Sequence, residues 1–412
     1  MNLTIKKNSW YKLLLFATYI SVTLFTSCKK VEEPLRPVGQ ELPYINSKKK
    51  LVALFDSIPD ASVFKMAFNR STLQEYMDSL SAGGTDVPYT LFIPTDQAFI
   101  KAGYTKDKIN SMQVSELNLL LGYLALPGSL PVKMLSSSAE ITFYPLIHPD
   151  PYLERTEPSV FSDSRPYYYA LSVGFFGNSL LLNGKKVKDN TTGILAKNGA
   201  LFMIDSLIKR PEKEIYQVIT ADTSLSFYMA ALRKSNEIYT QKGILGSEGS
   251  NTQYNDTTWM MLRTSNVSPF GPGSLPFAVV FAPDNNAFRK AGFSSVGDIE
   301  SFIDRSALAT GPDYTEMLTN MDSILVNHRF LSNFSRVNTG RNYLYTPDLI
   351  NTFTLNNDIN LGAVSFSNNN GRITIHRQDY PEGRGANIVP GSDINTLNGV
   401  VHKVDNLMLT RL

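Results

Sequence analysis

Thr90-Leu-Phe-Ile-Pro-Thr-Asp-Gln-Ala-Phe-Ile-Lys-Ala-Gly-Tyr104 is the stretch on which the fold turns. Leu91, Phe92 and Ile93 form an apolar run of strand length, and Pro94, which has no N–H to donate, ends the ladder. Thr95 stands where a side-chain oxygen can accept from an orphaned helical N–H. Ala98, Phe99 and Ala102 then give a short amphipathic helix, and Gly103 closes it because glycine takes positive φ without cost. One short stretch thus encodes a buried strand, a capped helix and a stop.

The same pattern returns as Val279-Val-Phe-Ala-Pro-Asp-Asn-Asn-Ala-Phe-Arg-Lys-Ala-Gly-Phe293. Pro94, Ala98, Phe99, Lys101, Ala102 and Gly103 recur as Pro283, Ala287, Phe288, Lys290, Ala291 and Gly292, with Asp284 in the capping place of Thr95. A second motif also occurs twice: Asn198-Gly-Ala-Leu-Phe-Met-Ile-Asp205 and Asn398-Gly-Val-Val-His-Lys-Val-Asp405. Its Asn-Gly opening predicts a tight turn, since both residue types tolerate positive φ. Alternation in the following strand puts Val400, His402 and Val404 on one face, equivalent to Ala200, Phe202 and Ile204, which makes that face core-like. Two motifs recurring in the same order make the repeat a whole domain.

The strand-Pro-Thr/Asp-x-x-Ala-Phe segment resembles the first signature of the fasciclin (FAS1) family, and Asn-Gly-Val-Val-His-Lys-Val-Asp resembles the second. The resemblance implies an α+β fold: two tandem fasciclin-like domains, each a twisted β wedge or sandwich with helices packed on one side. It marks Pro94, Thr95, Phe99, Asn198, Gly199 and Asp205 in the first domain as structural positions, and Pro283, Asp284, Phe288, His328, Asn398, Gly399, His402 and Asp405 in the second. The expected limits are 47–209 and 212–412, with Pro211 at the junction. Between its signatures the family carries a Tyr-His dipeptide. Here Tyr123 is followed by Leu124, and His328 is preceded by Asn327, so the adhesive role ascribed to that dipeptide does not carry over.

Both repeats exceed the compact family unit, which predicts insertions at Ser136 to Tyr169, Tyr239 to Pro276 and Thr339 to Ser392. Long loops on a rigid scaffold are disproportionately functional. Tyrosine offers a flat apolar face and a polar tip at low entropy cost, suited to glycan or protein contact. Tyr167, Tyr168, Tyr169, Trp259 and Arg384, all on these insertions, are the expected ligand-contact residues.

The N-terminus reads as a leader over residues 1–27. Lys6, Lys7 and Lys12 precede an apolar stretch from Leu13 to Phe25, of signal-peptide length and short for a membrane span. It ends in Leu24-Phe25-Thr26-Ser27-Cys28, which resembles the bacterial lipobox, and Cys28 is the only cysteine in the chain. Lipidation there would anchor the protein stably, because each buried methylene contributes about 0.8 kcal/mol. No intramolecular disulfide is possible. Residues 28–46 read as an extended tether, whose Lys29-Lys30-Val31-Glu32-Glu33 resembles the export signal of surface lipoproteins of the Bacteroidetes.

The 412 residues carry 39 Lys and Arg against 37 Asp and Glu, a net charge of +2 that argues against nucleic acid as a partner. No nucleophile elbow, His-Glu-x-x-His, phosphate loop, Cys-x-x-Cys or EF-hand spacing occurs, so no catalytic residue, metal or cofactor is expected. His148, His328, His376 and His402 are scattered. His328 and His402 are apolar in the first repeat, as Leu124 and Phe202, which predicts that the two positions lie together and pack as a unit. The expected function is adhesion or binding at the cell surface, from a lipid anchor in the outer membrane, to a protein or glycan partner. The alternative is an accessory subunit of an outer-membrane glycan transporter, with a large apolar patch to dock on it.

Overall fold

The computed structural model describes residues 43–81, 87–130, 141–147, 150–155, 165–176, 179–241, 274–275, 278–306, 319–325, 328–331, 343–350, 364–377 and 384–408. These form one compact unit. The leader, Cys28 and Trp259 lie outside the described residues.

In the first half, β1 (Tyr44–Asn46) is followed by α1 (Leu51–Leu54), α2 (Ser62–Arg70) and α3 (Leu73–Ser81), then by β2 (Tyr89–Pro94). Next come α4 (Asp96–Lys101), α5 (Lys106–Ser111), α6 (Val114–Gly122), β3 (Ala125–Pro127), β4 (Ile141–Phe143), β5 (Asp150–Arg155) and β6 (Arg165–Tyr167). The half closes with β7 (Leu171–Phe176), β8 (Ser179–Leu182), β9 (Lys185–Lys188), β10 (Gly193–Ala196) and β11 (Gly199–Ile204). Its main sheet has the order β1-β10-β11-β2-β3, and a second sheet has the order β4-β7-β8-β9. The expected tether therefore ends earlier than residue 46, because β1 already pairs with β10 at the sheet edge.

The two repeated motifs are neighbours in space: β2 and β11 run parallel, with Tyr89 opposite Gly199 and Pro94 opposite Ile204. One face of this pair, Phe92, Ala200, Phe202 and Ile204, packs on Leu171, Val173, Leu180 and Leu182 of the second sheet. The other face, Leu91, Ile93 and Leu201, packs on the helices through Leu51, Phe64, Phe68, Ile109 and Leu121. Both strands are therefore buried on two sides. Each large apolar side chain so enclosed contributes about 1.5–3 kcal/mol, and Phe55, Phe64 and Phe68 add edge-to-face contacts at 5.4 and 5.0 Å.

The second half repeats this plan. Its helices are α7 (Ile215–Ala221), α8 (Ser226–Gln241), α9 (Asn285–Lys290), α10 (Val296–Asp304), α11 (Asp322–Leu325) and α12 (Thr346–Ile350). Its strands are β12 (Ser274–Leu275), β13 (Ala278–Pro283), β14 (Arg329–Leu331), β15 (Val364–Asn369), β16 (Arg372–Arg377), β17 (Ala386–Asn387), β18 (Ile394–Thr396) and β19 (Gly399–Val404). The main sheet runs β14-β13-β19-β18, matching β3-β2-β11-β10. β13 and β19 are parallel in the same register as their counterparts, Ala278 opposite Gly399 and Pro283 opposite Val404. The hairpin β15–β16 and strand β17 form the second sheet. Much of the described part of the expected insertion at Thr339 to Ser392 is thus core sheet, and its Asn370-Gly371 is a hairpin turn with φ of 52° and 86°.

The motif residues are fixed by local chemistry. Thr95 Oγ1 accepts from the Ala98 N–H at 3.2 Å and Asp284 Oδ1 from the Ala287 N–H at 2.8 Å, capping α4 and α9. Phe99 and Phe288 are fully buried beneath those helices. The Asn-Gly turns work differently from expectation, because only the glycine takes positive φ, 146° at Gly199 and 136° at Gly399. A Cβ there would lie 1.9 Å from Tyr89 O or 1.7 Å from Ala278 O. The asparagine instead reaches the start of its half's first helix: Asn198 Oδ1 accepts from the Leu51 N–H at 2.8 Å, and Asn398 Oδ1 from the Ile215 N–H at 2.9 Å.

Candidate binding surface

The tyrosine run of the first insertion divides by strand geometry. Successive side chains on an extended chain point to opposite faces. Tyr167 and Tyr169 turn inward and are buried, while Tyr168 is 49% exposed. Tyr167 and Tyr169 are therefore corrected from ligand contact to core. Tyr167 joins a cluster that spans both halves, with Tyr123 and Phe202 from the first and Tyr343, Tyr345, Leu397 and Val400 from the second. Its hydroxyl donates to Leu397 O at 2.7 Å, and burial pushes its pKa far above that of an ordinary tyrosine. Tyr169 stands edge-on to Tyr167 at 5.2 Å and carries the Arg210 guanidinium over its ring at 5.3 Å. The backbone joins the halves as well, β12 pairing in parallel with β5.

Tyr168 meets Tyr144, itself 51% exposed, edge to face at 5.9 Å between centroids. This is an aromatic surface standing on a rigid base, since both neighbours of Tyr168 are locked in the shared core. The other exposed large apolar residues among those described, Ile45, Leu80, Ile100 and Val114, lie on separate elements.

His328 and His402 are structural, and His148 lies outside the described residues. His328 Nδ1 donates to Phe281 O at 2.9 Å and its Nε2 accepts from the Met408 N–H at 3.0 Å, so the ring is the neutral Nδ1–H tautomer. His402 Nε2 donates to Leu344 O at 2.9 Å, and its Nδ1 faces Asp393 Oδ1 at 2.8 Å. The Asp393 oxygens also accept from the Thr346 N–H at 2.8 Å and its hydroxyl at 2.5 Å. The His402 ring thus meets a carboxylate already served by two Thr346 donors, and it is fully buried beside it. Burial works to raise the Asp393 carboxyl, but the charge and hydrogen bond of His402 and the Thr346 donors outweigh it and hold the group below the usual carboxylate range. His328 and His402 do not bond to each other, since all four ring nitrogens are engaged elsewhere. They meet instead across Phe281, on whose ring His402 stacks at 5.0 Å. Neither ring has a nitrogen left for a nucleophile. Nothing in the sequence spacing of Asp393 and Thr346 ties them to His402; only the fold does.

Arg384 is exposed, its Nη1 donating to Lys290 O at 3.3 Å. Asp205 is exposed and paired with Lys188 at 2.9 Å, whereas Asp405 is partly enclosed by Asn387, Arg372 and Lys290. A shallow groove of about 370 Å³ between α8 and α10 is lined by Arg233, Lys234, Glu237 and Glu300, with Lys234 already paired to Asp304 at 3.1 Å. Among the described residues no group of three or more His, Cys, Asp and Glu could hold a metal ion, and no helix is long and apolar enough to cross a membrane.

Residues 59–210 match the family model of the Fasciclin domain. The fasciclin-matched stretch covers the first half from α2 through β11, including both of its motifs. The second half lies outside that match, yet it repeats the sheet order, register, caps and Asn-Gly turns of the first. Among solved structures, the FAS1 domain pair from the insect cell adhesion molecule Fasciclin I is similar at 14% identity, over 84% of this chain and 96% of that one, with a TM-score of 0.30. No curated protein matches the chain.

Proposed function

We propose that this is a non-catalytic binding protein of the cell surface, lipidated at Cys28 and held off the outer membrane by the tether, which attaches to a glycan or protein through its exposed loops. The observation that carries the reading is the Tyr144–Tyr168 pair, two half-exposed rings mounted on a buried brace. Rings so held lose little entropy on stacking against a sugar face or an apolar side chain. The Fasciclin-domain match over residues 59–210 supports attachment rather than catalysis.

The test is capture by full-length protein in mild detergent, on glycan arrays and from its native envelope, with mass spectrometry of what is retained. The native chain should capture a defined glycan or envelope component, and Tyr144→Ala/Tyr168→Ala should weaken that capture by about tenfold, each stacked ring contributing about 0.5–1.5 kcal/mol. Cys28→Ala should move the chain from the membrane to the soluble fraction. Undiminished capture by the double tyrosine variant would refute the aromatic surface, and stoichiometric recovery of a transporter would make the protein an uptake subunit.

A further inference from the structure

Two cations meet one carboxylate at the far end of β19, and a third bonds the backbone of the first. Lys290, the last residue of α9, places Nζ 2.9 Å from Asp405 O and 3.7 Å from Asp405 Oδ2. Arg372, at the start of β16, brings Nη2 to 3.3 Å from the same Oδ2. Arg384 reaches Lys290 O with one Nη1 at 3.3 Å. Asp405 has little capacity to spare, because Oδ1 accepts from the Asn387 N–H at 2.9 Å and both oxygens accept from Asn387 Nδ2 at 3.1 Å. Two positive charges therefore share one carboxylate, with the Arg384 guanidinium held beside Lys290, and the side chains of Lys290 and Arg372 are 50% and 64% exposed.

The backbone beneath is fixed. Asn406 Nδ2 donates to Gly385 O at 3.1 Å, tying the base of Arg384 to the residue after Asp405. A Cβ on Gly385 would lie 2.6 Å from the His376 ring, so the chain passes there at closest approach. β17 holds Asn387 in register with Thr374. The repeated framework does not demand this surplus of charge: in the first half Lys188 satisfies both oxygens of Asp205 at 2.9 Å, and the described residues bonded to that carboxylate include no arginine.

We propose that Lys290, Arg372 and Arg384 form a binding site for an anionic polysaccharide, taking a carboxylate or sulfate group of the polymer beside Asp405. The inference rests on the glycan-binding reading above and names its ligand class. Each guanidinium uses one donor at 3.3 Å, and among the described residues no other partner takes the rest of its planar fork, the geometry that pairs bidentately with a carboxylate or sulfate. A nucleic acid would need a longer basic track than one three-cation patch on a chain of net charge +2.

The experiment uses full-length protein in mild detergent on immobilised polygalacturonate, dextran sulfate and neutral dextran. Retention is expected on at least one anionic polymer and not on neutral dextran, weakening as salt rises from about 0.1 to 0.5 M. Arg372→Gln/Arg384→Gln should cut affinity by about tenfold or more, because each removes a charge-assisted fork. Lys290→Gln should act in the same direction, and an unchanged melting temperature would show that the variants fold. Lys185→Gln/Lys197→Gln removes equal charge elsewhere and should change nothing. Retention that survives the arginine variant, or falls equally in the lysine control, overturns the site. So does arginine-dependent binding to phosphatidylglycerol vesicles without binding to either polymer. Capture that depends on Tyr144 and Tyr168 while both anionic polymers fail would sink this site alone and leave the broader function standing.

Discussion

The two halves fill the same hole in different ways. In the first, Phe92 lies between Phe202, at 6.0 Å, and Leu124, whose carbonyl accepts the Phe92 N–H at 2.9 Å. In the second, the equivalent Phe281 lies between His402, stacked at 5.0 Å, and His328, which bonds to its carbonyl. Strand order and register are identical around both. The framework accepts an apolar or a polar filling, but the polar one must bring its own partners: Asp393, Thr346 and Leu344 O for His402, and Met408 N for His328. Substitution by the other half's residue is therefore conservative in shape and radical in electrostatics.

That asymmetry predicts the largest effect. His402→Phe installs the first-half residue but leaves the Asp393 carboxylate buried without its His402 partner, and the expected cost in urea unfolding is about 3–5 kcal/mol. Adding Asp393→Leu should recover most of the loss, since an apolar pair of similar volume replaces a buried ion pair at little net cost. A single variant as stable as the native chain would break the comparison, and a double variant no better than the single would show that Thr346 also needs the carboxylate.

Lowering the pH attacks the same pair from the other side. The Asp393 carboxyl is depressed in the folded state, so its contribution is fully present above its unfolded value of about 3.9 and is lost as pH falls through the folded value. Below about pH 4, protection of the segment from Leu344 to Leu349 against hydrogen exchange should fall. The equivalent place in the first half, where Phe202 has no titrating partner, should hold. The acids of that half with depressed pKa, Asp56 and Asp189, are on its surface, paired with Lys65 and Lys186. Equal loss in both halves would mean that unfolding is global and that the pair has no local effect.

The sequence made legible whatever repeats. The capped helices after Pro94 and Pro283 and the core-facing positions of β11 and β19 follow from alternation and capping chemistry that any single stretch expresses. What it hid is long-range. That Tyr167 lies in the core while Tyr168 lies outside depends on a partner strand and on Leu397, 230 residues away. Arg384 reads as a loop residue, but its partner Lys290, and the Asp405 that Lys290 shares with Arg372, come from different elements, and only the folded chain brings them together. The stretch from Thr339 looked like an insertion because β15 and β16 share no residue pattern with β7 and β8, although each pair packs on the same face of its own main sheet.

The smallest predicted effect tests the boundary between those adjacent tyrosines. Tyr167→Phe keeps the ring in the shared core and removes one hydroxyl, leaving Leu397 O without that donor. The expected loss is about 0.5–1.5 kcal/mol, read as a lowered urea midpoint with an unchanged slope. Tyr168→Phe should leave the midpoint unchanged, because that residue is half-exposed and is not part of the core. If the two variants behave alike, the halves are not joined through Tyr167. If Tyr167→Phe instead splits unfolding into two steps, the bond to Leu397 is what makes the repeats unfold together, and cooperativity between them rests on the first insertion more than on the repeated sheets.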